Sequence, residues 1–162
     1  MNFSLRLSEP EDIEYPKKWL EDREILRFFP MSDTEEIEDA MRIWKDYILH
    51  KKSSLTALCG KEVIGMSLLY VSPWKKLQHQ SLFVIIISPE WRGKGVGQKL
   101  LLALMDMAKE KFHIHILHLE VYEDNPAVEF YKKLGFVAYG KHPHFLKQEG
   151  KYIDKLLMQK HL

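Results

Sequence analysis

Apolar positions along this chain recur with two different periods, and the switches between them outline its elements. Residues 3–7 alternate as a short strand, and residues 8–12, Ser-Glu-Pro-Glu-Asp, offer a cap followed by early acids for a helix reaching about residue 26, with Pro16 inside it. Residues 27–31, Arg-Phe-Phe-Pro-Met, break that period as an aromatic loop. Asp33 or Thr34 caps a second helix through His50, with Ile37, Met41, Trp44, Tyr47 and Ile48 on its apolar side. Strands are predicted at 54–59 and 63–71 around the turn Gly60-Lys61-Glu62, and again at 79–87. A helix over 98–111 carries Leu100, Leu101, Leu104, Met105 and Ala108 on one face. A strand at 114–122, a short helix from Asn125-Pro126-Ala127 to Gly135, and strands at 136–141 and 153–158 complete the chain.

The order β-α-α-β-β-β-α-β-α-β-β predicts an α/β fold: a mixed central sheet of about seven strands with helices on both faces. At 162 residues the chain can bury a real core, and no linker, repeat or low-complexity tract divides it, so residues 1–162 are expected to form a single domain. A hydrophobic content of 46% excludes wholesale disorder, and a net charge of +1 supplies no global pull toward nucleic acid or an anionic membrane. Cys59 is the only cysteine, so no intrachain disulfide can form. The amino terminus lacks the apolar stretch of a signal peptide, and the longest apolar runs fall far short of a membrane span. A cytoplasmic setting is the expectation.

The richest chemistry lies between Val84 and Gln98, where an apolar strand ends at Pro89 and runs into Arg-Gly-Lys-Gly-Val-Gly before a helix. Gly93, Gly95 and Gly97 let the backbone turn tightly and let a ligand approach without meeting a Cβ. Unpaired first-turn amides, the positive end of the helix dipole and the charges of Arg92 and Lys94 together suit a phosphate or diphosphate. Neither familiar nucleotide loop fits. Lys94 is followed by Gly95, against the G-K-[ST] of a P-loop, and the dinucleotide spacing from Gly95 lands on Leu100 where a small residue is required.

Arg92-Gly93-Lys94-Gly95-Val96-Gly97 does fit [QR]-x-x-G-x-[GA], and with the preceding strand it resembles the GNAT superfamily of N-acetyltransferases. The element order resembles that fold over essentially the whole chain. A second segment, Glu120 to Phe136, resembles the family's N…A…Y-x-x-x-G-F signature. The resemblance implies an acetyl-CoA-dependent N-acetyltransferase in which an amine attacks the thioester directly in a ternary complex, with no metal. The implied acceptor is a primary amine, on a small molecule or a protein amino terminus. The segment from Ile85 also resembles spermidine N-acetyltransferases, while Leu-Glu-Val at 119–121 resembles ribosomal-protein alanine N-acetyltransferases.

Acetyl transfer needs a neutral amine, a stabilised oxyanion and a proton for the departing thiolate. The resemblance implies Tyr131 as general acid, a backbone amide near Ile87 as oxyanion donor, and Glu120 as base unless a water relay serves. It implies coenzyme A contacts from Ile85, Ile86, Ile87, Arg92, Gly93, Lys94, Gly95, Val96, Gly97, Gln98, Asn125 and Tyr131. Related sequences place Asn seven residues before the tyrosine; Asp124 stands there, and Asn125 is retained by anchoring on Val121. Phe28, Phe29 and Trp74 are candidates to line an acceptor pocket or simply cover the sheet. The acids at 35–39 either attract a cationic acceptor or complement the helix dipole. His113, His115, His118, His142 and His144 read as surface or strand-end residues, and Cys59 as a small core residue. Family dimers pair carboxyl-terminal edge strands, which leaves a homodimer open, and a non-catalytic acyl-CoA sensor on the same fold is the alternative function.

Overall fold

Residues 62–71 are apolar at almost every position, the pattern of a strand covered on both faces, and they form the long third strand of a seven-stranded sheet. In the computed structural model, which describes residues 2–162, the strands are β1 Ser4–Leu7, β2 Ser54–Cys59, β3 Glu62–Val71, β4 Gln80–Ile87, β5 Ile116–Tyr122, β6 Val137–Gln148 and β7 Lys151–His161. They lie in the order β1-β2-β3-β4-β5-β7-β6, antiparallel throughout except for parallel β4 and β5.

Helices cover both faces, as the patterning predicts. On one face α4, Val96–Phe112, lies across β2, β3 and β4 and buries Val96, Leu100, Leu101, Leu104, Met105 and Ala108. Each fully buried leucine there contributes about 1.5–3 kcal/mol. The short α5, Ala127–Lys133, packs beside it through Val128 and Phe130. On the other face α1, Glu14–Trp19, α2, Arg23–Leu26, and α3, Thr34–His50, close over Met66, Leu68 and Ile86 with Leu20, Ile25, Met41 and Trp44.

The larger departures from the sequence reading have local reasons. The first helix is divided, but not at Pro16, which sits in the first turn of α1 where its missing N–H costs nothing. The break falls at Asp22, whose Oδ1 accepts from Glu24 N at 2.9 Å and caps α2 afresh. Helix α4 begins at Val96, two residues before the expected start, because Gly95 takes φ 81 and serves as its cap. Strands β6 and β7 run to 12 and 11 residues, well past 141 and 158. Pro143 is tolerated because β6 is the sheet edge, where a bulge between His142 and Leu146 absorbs it.

The root of the first helical segment is a buried polar network. Asp12 accepts from Arg6 Nη1 and Nη2 at 2.6 and 2.8 Å, from Glu9 N at 2.8 Å and from Thr56 Oγ1 at 2.8 Å. Burial alone would raise its carboxyl, but these donors outweigh that and hold it below its ordinary value.

Candidate active site

The parallel ladder between β4 and β5 has only three rungs: Gln80–Ile116, Ser81–Leu117 and Leu82–His118. Beyond Leu82 the two strands part. β4 stays paired on its other side, where Ser88 N donates to Ile64 O at 3.0 Å and fixes the phase of the antiparallel ladder. Alternation then turns Ile86 toward Met66, while Ile85 and Ile87 direct their N–H and C=O groups into the gap left by β5. Of the three isoleucines expected at the cofactor, Ile86 thus differs from Ile85 and Ile87 in its backbone direction. Its backbone belongs to the β3 ladder and its side chain to the core under α3.

The glycine loop stands at the open end of this gap. Gly93 and Gly95 take φ 71 and 81, and an added Cβ at either would meet nothing within 4 Å, so the concave side of the turn is clear. No side chain caps α4, so its first amides, from Val96 to Gln98, remain available, and this is a cradle that a diphosphate fits. The Val96 side chain is fully buried and contributes only its amide. Arg92 Nε donates to Ile87 O at 3.3 Å, and Lys94 Nζ lies 5.0 Å from the Trp91 ring centroid, so both cations border the turn. Burial lowers the Arg92 guanidinium, and Asp22 pulls it back up, which also places the α1–α2 turn within electrostatic reach of the loop.

Gly65 and Gly97 lie where α4 packs against Ile87 of β4. A Cβ on Gly65 would stand 2.7 Å from Ile87 Cδ1, the movable end of that side chain, and 3.5 Å from Val96 Cγ1, so β3 meets β4 and α4 closely there. Gly97 lies between Ile87 and Phe130, each 3.6 Å from where its Cβ would be. Gly65 was missed in the sequence, although an isolated glycine inside an apolar strand is the signal for such an approach.

Tyr131 lies on α5 and packs against Phe83 of β4. Its ring packs against Phe130, Phe136 and Phe83 at centroid distances of 5.3, 5.9 and 6.0 Å, and Phe83 immediately follows the last rung of the ladder. Burial pushes the Tyr131 phenol well up, so it is protonated at neutral pH. Asn125 caps the same helix, its Oδ1 accepting from Ala127 N at 2.9 Å. Neighbouring Asp124 accepts from Arg27 at the end of α2 at 3.3 Å.

On the opposite face β5 presents His118, Glu120 and Tyr122 in alternation with the buried Leu117, Leu119 and Val121. Glu120 is 45% exposed, and its Oε2 accepts from Lys155 Nζ at 2.6 Å. Lys155 is 7% exposed, with its ammonium 3.5 Å from the Phe145 ring centroid. A bulged β6 supplies Phe145, which also packs on Tyr122 at 6.2 Å. Neither Lys155 nor Phe145 was visible in the sequence, because only the pairing of β6 with β7 and of β7 with β5 brings them to Glu120.

The aromatic candidates separate. Phe28 lies under the Arg27 guanidinium at 5.0 Å, and Arg27 in turn holds Asp124, so Phe28 and Phe29 belong to the end of the sheet that carries the glycine loop. Trp74 precedes β4, is 72% exposed and stands at the opposite end of that strand, apart from the other two. Of the acids at the start of α3, Glu36 accepts from Ser32, Glu38 accepts from Lys17 on α1, and Asp39 pairs with Arg42. Cys59 ends β2, two strands from the gap.

Residues 17–136 match the Acetyltransferase (GNAT) family. Spermidine N(1)-acetyltransferase of Escherichia coli (strain K12) is 27% identical over 157 residues, covering 95% of this chain and 83% of that protein. L-amino acid N-acetyltransferase AaaT of the same organism is 25% identical over 119 residues, covering 72% of this chain and 74% of that one. A Salmonella typhimurium acetyltransferase structure with its cofactor acetyl-CoA superposes with a TM-score of 0.82 at 18% identity, over 100% of this chain and 95% of that one. The chain belongs to the GNAT acetyltransferase family. It is an N-acetyltransferase, and acetyl-CoA is its acyl donor.

Proposed function

We propose that this enzyme transfers the acetyl group directly to a primary amine, on a small molecule or a peptide amino terminus, that enters from the β5–β7 face while acetyl-CoA lies in the gap between β4 and β5. The observation that carries this reading is the end of the ladder at Leu82–His118. It leaves the amides of Ile85 and Ile87 free on one wall and Tyr131 beside Phe83 at the closed end. In this reading the α4 amides, Arg92 and Lys94 hold the diphosphate, with Gly93, Gly95 and Gly97 giving it room. The Ile85 and Ile87 amides stabilise the developing oxyanion, and Tyr131 protonates the leaving sulfur. Asn125 contributes chiefly by capping α5 and so fixing Tyr131. Direct attack is favoured because Cys59, the only thiol, is remote from the gap.

The relatives named above act on spermidine and on L-amino acids, so the acceptor panel includes both, with alanine-terminated peptides added. Thiol release from acetyl-CoA, measured while both substrates are varied, is expected to give intersecting reciprocal plots for the preferred amine. Parallel plots would indicate a covalent acetyl-enzyme and overturn direct attack.

A further inference from the structure

An aliphatic amine is an ammonium ion at neutral pH and must lose a proton before its nitrogen can attack. On the face of β5 turned away from Leu117, Leu119 and Val121, three side chains can titrate. Tyr122 is buried, and burial, then Glu120, pushes its phenol up to about 12, so it accepts no proton at neutral pH. Glu120 has Oε2 occupied by Lys155 at 2.6 Å. His118 forms the last rung with Leu82, so it stands where the gap closes, and its half-buried imidazole is on the face of Glu120 rather than on that of the core that holds Tyr131.

We infer that His118 is the proton acceptor for the attacking amine, placed at the closed end of the β4–β5 gap on the face opposite Tyr131. This rests on the reading of that gap as the acetyl-transfer site. The groups facing His118 are few. On its own strand there is Glu120, and through Glu120 the Lys155 ammonium of β7. Its partner on β7 is Gln159 and its partner on β4 is Leu82, both uncharged; Tyr70, beyond Leu82 in the same row, is held neutral by burial. Burial also lowers the imidazole below its usual value, against the pull of Glu120, so His118 is neutral and able to accept a proton at neutral pH.

The step balances. His118 takes one proton from the ammonium, and the freed nitrogen lone pair forms the C–N bond at the thioester carbonyl. The C–S bond then breaks with its electron pair going to sulfur, which takes the Tyr131 proton. The second amine proton passes to the Tyr131 phenolate, and the proton on His118 leaves to solvent.

The test compares His118→Gln, His118→Ala and Glu120→Gln, with coenzyme A affinity measured on each as the control for folding. His118→Gln is expected to lower kcat about 10²–10⁴-fold and to remove the acidic limb of the kcat/KM profile while coenzyme A binds as before. Added imidazole is expected to restore part of the rate to His118→Ala, which a packing role would not allow. If His118→Gln stays within about twofold of wild type with the acidic limb intact, the inference is overturned. Loss of that limb in Glu120→Gln alone assigns the base to Glu120. Wild-type enzyme that releases no thiol with any amine of the panel would instead sink the reading of the gap, and this inference with it.

Discussion

The two halves of the proposed site are built from different materials. The donor half, along β4 and the start of α4, is made of main chain: the amides of Ile85, Ile87 and the first turn of α4, with glycines where a Cβ would obstruct. The acceptor half, along β5 and β7, is made of side chains: His118, Glu120, Lys155, Tyr122 and Phe145. A main-chain site binds the feature that every acyl-CoA shares, whereas a side-chain site can be rewritten residue by residue for each amine. The relatives fit that division, since proteins of this fold carry acceptor names as different as spermidine and L-amino acids.

Tyr131 stands where the halves meet, and its removal has the largest expected effect. Tyr131→Phe keeps the ring stack on Phe83, Phe130 and Phe136 but removes the proton for sulfur. Turnover is expected to fall about 10²–10⁴-fold with the acetyl-CoA dissociation constant unchanged. An undiminished rate would take Tyr131 out of the chemistry and leave it as a packed aromatic.

The helical cover over β3 and β4, outside both halves, depends on a side-chain network of its own. Asp12→Asn removes the anion that Arg6 pairs with at the root of the α1–α2 cover, and breaking a buried pair costs about 3 kcal/mol, the low end of the range because Arg6 is part-exposed. The folded-state value of Asp12 lies below its ordinary 3.8, so its contribution is complete above that value and is lost as pH falls through the lower, folded one. Between pH 5 and pH 2 the melting midpoint of wild type is therefore expected to fall more steeply than that of Asp12→Asn. Equal slopes would show that the network is not what roots the cover.

Those two materials also explain what the sequence disclosed. A main-chain site demands glycine at fixed spacing, so Gly93, Gly95 and Gly97 announced the cradle, and the period switches announced all seven strands and the long helices α3 and α4. A side-chain site is assembled by register. Lys155 meets Glu120 only because Tyr122 pairs with Lys155 across β5 and β7, and Phe145 reaches it only through the β6 bulge. Neither fact has a local signature. His118 was legible as a residue but not as a position, because the end of the β4–β5 ladder is a property of two strands far apart in sequence. The division of the first helix at Asp22 was hidden by Pro16, the more obvious breaker and the wrong one.

Gly95→Ala addresses the donor half alone. Its φ of 81 is left-handed and an added Cβ has open space, so the cost is backbone strain of about 1–2 kcal/mol. The loop relieves that strain by reshaping the cradle, and the coenzyme A dissociation constant is expected to rise about tenfold by calorimetry, with amine KM at saturating donor unchanged. A matching rise in amine KM would show that the halves are mechanically coupled through the glycine loop.

The smallest effect separates the aromatic candidates. Trp74 is exposed at the start of β4, whereas Arg27, Phe28 and Asp124 gather at the other end of the sheet. A strand of eight residues spans about 25 Å, more than a small amine can bridge. Trp74→Ala is accordingly expected to leave amine KM and kcat within about twofold of wild type, while Phe28→Ala raises amine KM several-fold. Should Trp74→Ala raise amine KM as much as Phe28→Ala does, the acceptor must extend along this face of the sheet, over His118 and Gln159, to the start of β4. The acceptor half would then be a channel for a long, flexible amine rather than a pocket at one end of the sheet.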